Sequence, residues 1–548
     1  MRAFFKIAVA VSLLIAGCVE SPPDNNGDVS QASTNSQGQA QVLPAEYRFP
    51  LPADPLTLDP AHITDTVSDT VSRRIFNNLV KFAHDGSVAP DLAESWVISE
   101  DGLVYEFTLH EGVRFHNGEA LVADDVSYSY KRLLDPETNS ERANLLYYVK
   151  GAREYNSGQS EELGIEAVDE RHVRFTLSEP YAPFLMVLCM SNFGVVSHSG
   201  VEPDPKGFGS NPVGSGPFVF KSWDRSERVT LKANRDYFAG EPKLDTVMFL
   251  VIEDEKTRFE NFKAEALEHC DIPPSQISEV RNSEKLSSLI HGEPAMDMYC
   301  FGFNCEQPPF KDNTALRRAL NYAVDKHNII ENIWGGLVTE QVTYVPPGMF
   351  YYWNDSQGYG YDPELARKLL EEAGYPGGEG LPELVLNIDT QLTNKFVAEA
   401  VQEDLRKVGV TVDIEVTDWG SFLPKVYAGE SLFFQNTWLG DYPDPDTWLY
   451  QLLHSDNFGD AGNITRWSNS EFDHFVKMAQ VEMDSAQRAE LYRKAEQIAF
   501  KEAPWLLLFW KNSATLVQPY VQGFVISGMD RTPQCNNVPL EEVFFSAK

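Results

Sequence analysis

Basic residues are scarce in this chain of 548: 45 Lys and Arg face 81 Asp and Glu, leaving a formal charge of −36 and a pI near 4.6. Such a surface repels phosphate backbones and anionic lipid, so no nucleic-acid partner is expected. Cysteine is equally sparse, at six. No two cysteines form a Cys-x-x-Cys and the eleven histidines are scattered, so neither a metal site nor a cofactor is expected. The Gly-x-Ser-x-Gly elbow, the His-Glu-x-x-His helix, the P-loop and the Gly-x-Gly-x-x-Gly fingerprint are absent, and no enzymatic activity is expected. After the first eighteen residues no apolar run is long enough to span a bilayer. What remains is 43% hydrophobic and 12% aromatic, enough to bury a core, in a length that suits about three folding units.

The amino terminus points to export. Arg2 and Lys6 precede and flank an apolar run from Ile7 to Ala16 that is too short to cross a membrane, and Gly17 follows. Residues 1–17 therefore read as a signal peptide. Leu14-Ile15-Ala16-Gly17-Cys18 resembles the bacterial lipoprotein box, which implies that Cys18 is the acylated first residue of the mature chain. Residues 18–44, rich in Ser, Asn, Gly and Gln, read as a lipid-attached flexible tether. Loss of residues 1–17 takes the formal charge to −38. The expected location is the bacterial cell envelope, on the periplasmic or extracellular face, with the lipid as the only membrane contact. Of the other cysteines, Cys300 and Cys305 lie an odd number of residues apart in an apparent strand and so on opposite faces, which argues against a bridge between them. With Cys189, Cys270 and Cys535 they read as buried free thiols.

Periodicity indicates an α/β protein. Asp362-Pro363-Glu364 supplies a cap, a first-turn proline and an acid ahead of Leu365, Leu369 and Leu370, with Gly374 as the stop. A strand at Leu384–Ile388, a helix over 394–407 and alternation from Val410 to Val416 predict a strand-helix-strand unit with parallel strands. A capping pattern at Asp484 starts a helix that reaches Pro504, and Trp505 to Trp510 follows as a buried strand. Tyr105–Leu109 and Val113–Phe115, separated by Glu111-Gly112, predict a hairpin.

One acidic cluster stands out: Asp441-Tyr442-Pro443-Asp444-Pro445-Asp446, between Trp438 and Trp448. Its prolines and lack of a central glycine exclude an EF-hand. Two carboxylates for glycoside hydrolysis could be drawn from it, but close neighbours on a proline-stiffened loop seldom face each other across a sugar. A ligand loop fits better, with indole walls and a carboxylate for a cation.

The segment Trp438-Leu439-Gly440-Asp441-Tyr442-Pro443-Asp444-Pro445 resembles the ligand loop of the bacterial extracellular solute-binding proteins of family 5, the oligopeptide- and dipeptide-binding proteins of ABC importers. Leu58-Asp59-Pro60, Ala89-Pro90-Asp91-Leu92-Ala93-Glu94-Ser95-Trp96, Gly112-Val113-Arg114-Phe115-His116-Asn117-Gly118, Gly214-Ser215-Gly216-Pro217-Phe218, Arg317-Arg318-Ala319-Leu320 and Ala366-Arg367-Lys368-Leu369-Leu370 agree in order, over about residues 50–510. The resemblance implies a periplasmic-binding-protein-like type II fold (cluster C): two lobes that close about a hinge, with an extra inserted domain. Its domain I would comprise 45–76 with 208–295 and 516–548, domain II 77–207, and domain III 296–515. It further implies a monomer that captures peptides and delivers them to an ABC permease and ATPase complex. Asp441 would hold the peptide ammonium, with Trp438, Gly440 and Tyr442 forming the rest of the loop. Several departures are visible. Asp297 and Leu439 stand where related proteins carry a disulfide, Gln435, Asn394 and Val426 stand where they carry basic residues for the peptide carboxylate, and Gly302 replaces a glutamate. The same scaffold could bind an oligosaccharide, stacked on Trp438, Trp448 and Trp467, or a metal chelate; a secreted hydrolase using the acidic loop is a further alternative.

Overall fold

A computed structural model describes residues 45–459 and 462–546; the signal segment, Cys18 and the whole of the tether lie outside the described residues. Three large sheets organise the rest. In the first, Glu46–Leu51 pairs in parallel with Thr246–Val251, and Arg228–Ala233 and Phe218–Asp224 continue it antiparallel. The second is an antiparallel sheet of Ala93–Ile98, Val104–Leu109, His172–Thr176 and Ile165–Ala167. The third has seven strands, running in order through His269–Asp271, Trp505–Val517, Ile290–Phe303, Phe433–Leu439, Leu384–Ile388 and Val412–Val416, with Val338–Glu340 added beside Trp505–Val517. No described helix is long and apolar enough to cross a membrane.

Local signals produce the anticipated elements. Asp362 accepts the Leu365 N–H at 2.9 Å and starts the helix Pro363–Glu372, and Gly374 ends it in the left-handed region at φ +91°. Leu384–Ile388 and Val412–Val416 are parallel, joined by the helix Leu392–Lys407, which begins two residues before the expected start. Asp484 caps Ser485–Glu502 by accepting from the N–H groups of Ala486 and Gln487. Trp505 opens a strand that runs on to Val517.

The predicted hairpin does not form. Both edges of Val104–Leu109 are occupied by longer partners, Ala93–Ile98 and His172–Thr176, against which its alternate side chains Tyr105, Phe107 and Leu109 bury. Three residues at 113–115 cannot compete with that, and they pair instead with 119–121 through Phe115 N–H to Glu119 O and Leu121 N–H to Val113 O, each 2.9 Å.

Two antiparallel strands, Ile290–Phe303 and Trp505–Val517, run from one core to another. Leu516 and Leu289 pack with Phe259 and Phe262, whereas Phe301, Phe303 and Leu508 pack with helices on one face of the large sheet. Met298, Cys300 and Trp510 pack with Trp448 and Tyr492 on its other face. Their register slips between Pro294 and Asp297 and again between Tyr299 and Cys300, midway along. All five described cysteines are free thiols, with only Cys305 partly exposed.

Candidate ligand-binding site

Alternation along Phe433–Leu439 decides what faces the cleft. Gln435, Thr437 and Leu439 line a cavity of about 810 Å³ together with Asp297, Asp389, Trp419, Lys511 and Arg531. Phe434 points to the opposite, core face, where its ring and that of Trp505 occupy the space a side chain at Gly302 would need. That crowding accounts for glycine at 302, since a glutamate there has no room.

Leu439 lies opposite Asp297, which in turn lies opposite Lys511. The two positions without a disulfide are thus cross-strand neighbours. Asp297 is buried and holds two cations, accepting from Arg531 Nη2 at 2.9 Å with Lys511 Nζ at 3.8 Å, and these hold its carboxyl below the usual carboxylate range against burial. Of the other departures, Val426 belongs to the apolar core and Asn394 is turned inward to donate to Asp389 at 2.7 Å. Gln435 is 2% exposed and its Oε1 has no partner among the described residues.

Past Leu439 the chain enters the acidic loop. A Cβ at Gly440 would stand within about 2.5 Å of two carbons of the Trp448 ring, so only glycine lets the loop cross that indole. Gly440 and Asp441 line a second cavity of about 160 Å³, shared with Thr64, Asp65, Arg73, Arg142, Asn192 and Asn536. Leu439 and Thr64 border both cavities, so the two adjoin. The Asp441 backbone N–H donates to Thr447 Oγ1 at 3.2 Å. Burial raises the Asp441 carboxyl pKa, and the lowering effects of the Arg142 charge and a Gln451 hydrogen bond do not cancel it. This is a carboxylate short of positive charge.

Tyr442 points away from the cleft. It is 2% exposed and packs in the core of the Ala93–Thr176 sheet, donating to Asp446 Oδ2 at 2.9 Å and sharing a 3.2 Å hydrogen bond with the Tyr181 hydroxyl. Asp446 also accepts from Gln480, and burial together with the Asp444 charge raises its pKa to about 6. Asp444 is fully buried in a bidentate pair with Arg488, at 2.6 and 2.8 Å. Of the three acids in the cluster, two hold the loop to its surroundings and Asp441 faces the cavity. Trp438, on the core face by alternation, packs against the core that contains Trp448 and reaches the larger cavity with part of its surface. Trp448 and Trp467 are 1% and 3% exposed, which leaves neither ring free to stack on a ligand. Trp419, 53% exposed on the wall of the larger cavity, carried no local signal, nor did Asp65, Arg142, Lys511, Arg531 or Asn536. They reach the cleft from distant parts of the chain.

Residues 87–460 match the family described as bacterial extracellular solute-binding proteins, family 5. The chain is 31% identical over 537 residues to heme-binding protein A of Haemophilus influenzae, covering 94% of this chain and 95% of that one. It is 28% identical over 531 residues to the oligopeptide-binding protein OppA of Bacillus subtilis, with the same coverage. Among solved structures, the ABC transporter-associated periplasmic binding protein DppA from Helicobacter pylori, in complex with the peptide STSA, superposes with a TM-score of 0.73 at 28% identity, covering 91% of this chain and 98% of that one. An α/β type II fold, the ordered motifs and the near full-length matches agree: this chain belongs to the family 5 bacterial extracellular solute-binding proteins.

Proposed function

We propose that the chain is the ligand-capturing component of an ABC importer and that its ligands are peptides held by their α-ammonium at Asp441. The observation that carries this reading is the Asp441 carboxylate, partly buried on the wall of a cavity and undercompensated by its neighbours. An incoming ammonium supplies the missing charge where low solvent exposure strengthens the pair. The oligopeptide-binding name of one relative and the bound peptide of another support the peptide class. Burial of Trp448 and Trp467 removes two of the three rings a sugar would need.

In this proposal Cys18 anchors the protein through lipid, and residues 18–44 tether it at the periplasmic or extracellular face. Domains 45–76 with 208–295 and 516–548, 77–207, and 296–515 close around the ligand, and the closed monomer delivers it to the permease and ATPase. The paired strands 290–303 and 505–517 serve as the hinge. Trp438 and Gly440 wall the first residue, and Tyr442 supports the loop from behind. Calorimetry with a free and an amino-acetylated tripeptide tests the assignment: acetylation should abolish binding, and Asp441→Ala should cost about 2–5 kcal/mol of affinity for the free peptide. Equal affinity for the two peptides, or an undisturbed Asp441→Ala variant, would falsify it.

A further inference from the structure

Pro180-Tyr181-Ala182-Pro183 frames two residues between prolines whose φ is fixed, and the second proline also restricts Ala182 before it. Tyr181 is 5% exposed and stacks on Tyr148, with ring centroids 3.7 Å apart and the planes 3° from parallel. Its hydroxyl meets the Tyr442 hydroxyl at 3.2 Å and Asp446 Oδ2 at 3.4 Å, and the Ala182 N–H donates to Gln480 O at 2.8 Å. Gln480 returns to the same carboxylate, its Nε2 donating to Asp446 Oδ1 at 2.9 Å. Arg488, a cation felt at Asp446, is held by Asp444 in the bidentate pair. Asp446 therefore depends on neutral donors, Tyr442, Gln480 and Tyr181, and each one removed leaves a buried carboxylate less well satisfied.

The position of this junction in the molecule gives it a use. The segment 77–207 continues at both ends into residues 45–76 and 208–295, and it is fastened to them. Arg132 Nη1 donates to Asp59 Oδ1 at 2.8 Å, Asn192 Nδ2 donates to Pro60 O at 3.0 Å and Ile63 O at 2.9 Å, and His116 N–H donates to Gly214 O at 2.8 Å. Toward 296–515 it has no chain connection, and Tyr181 and Ala182 reach across to Tyr442, Asp446 and Gln480. Bending of the strands 290–303 and 505–517 leaves the first set of contacts intact and separates the second. The hydroxyl, amide and carboxylate groups released can all bond to water, so the junction can part and reclose.

We infer that Tyr181 and Tyr442 form a latch that holds 77–207 against 296–515 and keeps the cleft shut, so that the time a ligand stays bound is set by a contact outside both cavities. Asp441 and Tyr442 are consecutive residues on one loop, the first facing the cavity and the second buried against Tyr181. A ligand at Asp441 and a closed latch therefore favour the same arrangement of that loop. Tyr181 is a positioning residue that acts on release rather than capture, because in the open form the two hydroxyls are apart and in water.

The effect on ligands rests on the amine reading of Asp441, and hydrogen exchange separates the two. Prolines carry no N–H, so within 180–183 only Tyr181 and Ala182 exchange, and the Ala182 N–H is the one that spans the junction. In the full chain without ligand, Tyr181→Phe, which keeps the ring and its stack on Tyr148, should speed exchange at Ala182 about three- to tenfold. Tyr442→Phe, 261 positions away, should act likewise, while the buried strand amides of Trp505–Trp510 keep their native rates. Ala-Ala-Ala should slow exchange at Ala182 in the native chain and not in Asp441→Ala. In stopped flow the same tripeptide should leave Tyr181→Phe about three- to tenfold faster than the native chain, with its association rate unchanged. Native exchange at Ala182 in Tyr181→Phe, a rise there matched by an equal rise at 505–510, or a native release rate for a tripeptide that binds overturns the inference. If Tyr181→Phe acts but the tripeptide leaves Ala182 untouched, the amine reading falls and the latch stands; if the tripeptide protects Ala182 and Tyr181→Phe changes nothing, the latch alone falls.

Discussion

At the residue scale, small side chains are set by what must pass beside them. Gly302 and Gly440 have ordinary backbone angles, and glycine is required at each because an aromatic ring fills the space above its Cα: Phe434 and Trp505 at the first, Trp448 at the second. Gly302→Ala should therefore cost about 1–3 kcal/mol through forced displacement of rings in a close-packed core, read as a lower midpoint in urea with the slope unchanged. An unaltered midpoint would show that the rings yield freely. Nothing in the Phe301-Gly302-Phe303 sequence announces this constraint, because the crowding atoms come from positions 434 and 505. Asp441 was legible for a different reason. Its surroundings in the chain, two tryptophans and two prolines within a few residues, are local and sufficient to mark a rigid acidic loop.

At the element scale, the helix Ser485–Glu502 organises the loop region. Arg488 near its start holds Asp444, and about two turns later Glu496 accepts from Tyr344 N–H at 2.7 Å, Val345 N–H at 2.9 Å and the Tyr351 hydroxyl at 2.9 Å. Burial raises the Glu496 pKa to about 7, so the folded protein holds a proton that the unfolded chain has released above about pH 4.5. Stability from this group is full below 4.5 and declines as the pH rises to 7. Glu496→Gln keeps an acceptor oxygen for the two backbone donors and removes the titration. Relative to the native protein the variant should gain about 3 kcal/mol between pH 4.5 and 7.5, measured by denaturant unfolding across that range. A constant difference would place the proton elsewhere. The helix itself was readable from Asp484 onward, since caps and periodicity are short-range. The failed 105–115 hairpin marks the limit of such reading: strand pairing depends on which other strands compete for an edge, and those lay at 93–98 and 172–176.

At the scale of the whole molecule, charge acts where no single residue does. A formal charge of −36 surrounds a cleft whose ligand enters by diffusion, and the field favours cationic visitors. Ala-Lys-Ala should associate faster than Ala-Glu-Ala at an ionic strength of about 10 mM, with the two rates converging by about 300 mM as the screening length shrinks. Stopped-flow rates that keep a constant ratio across salt would confine the electrostatics to the cavity itself. The molecule also joins its cores through unlike parts: Tyr442 of the acidic loop is buried in the core of the Ala93–Thr176 sheet, beside Tyr181. Movement of the 433–446 segment is thereby coupled to that sheet.

The sequence alone determined the family, the α/β class, the starts of the helices Pro363–Glu372 and Ser485–Glu502, and the acidic loop at 441–446. Each of these rests on interactions within a few residues, on periodicity, or on the order of motifs along the chain. The tertiary structure decided which of three aspartates in that loop faces the cavity, which tryptophans are core, and that Asp65, Arg142 and Asn536 meet at one wall. Those residues are brought together only when the cores form, because burial and the pairing of partners far apart in the chain are properties of packing, and no local pattern encodes them.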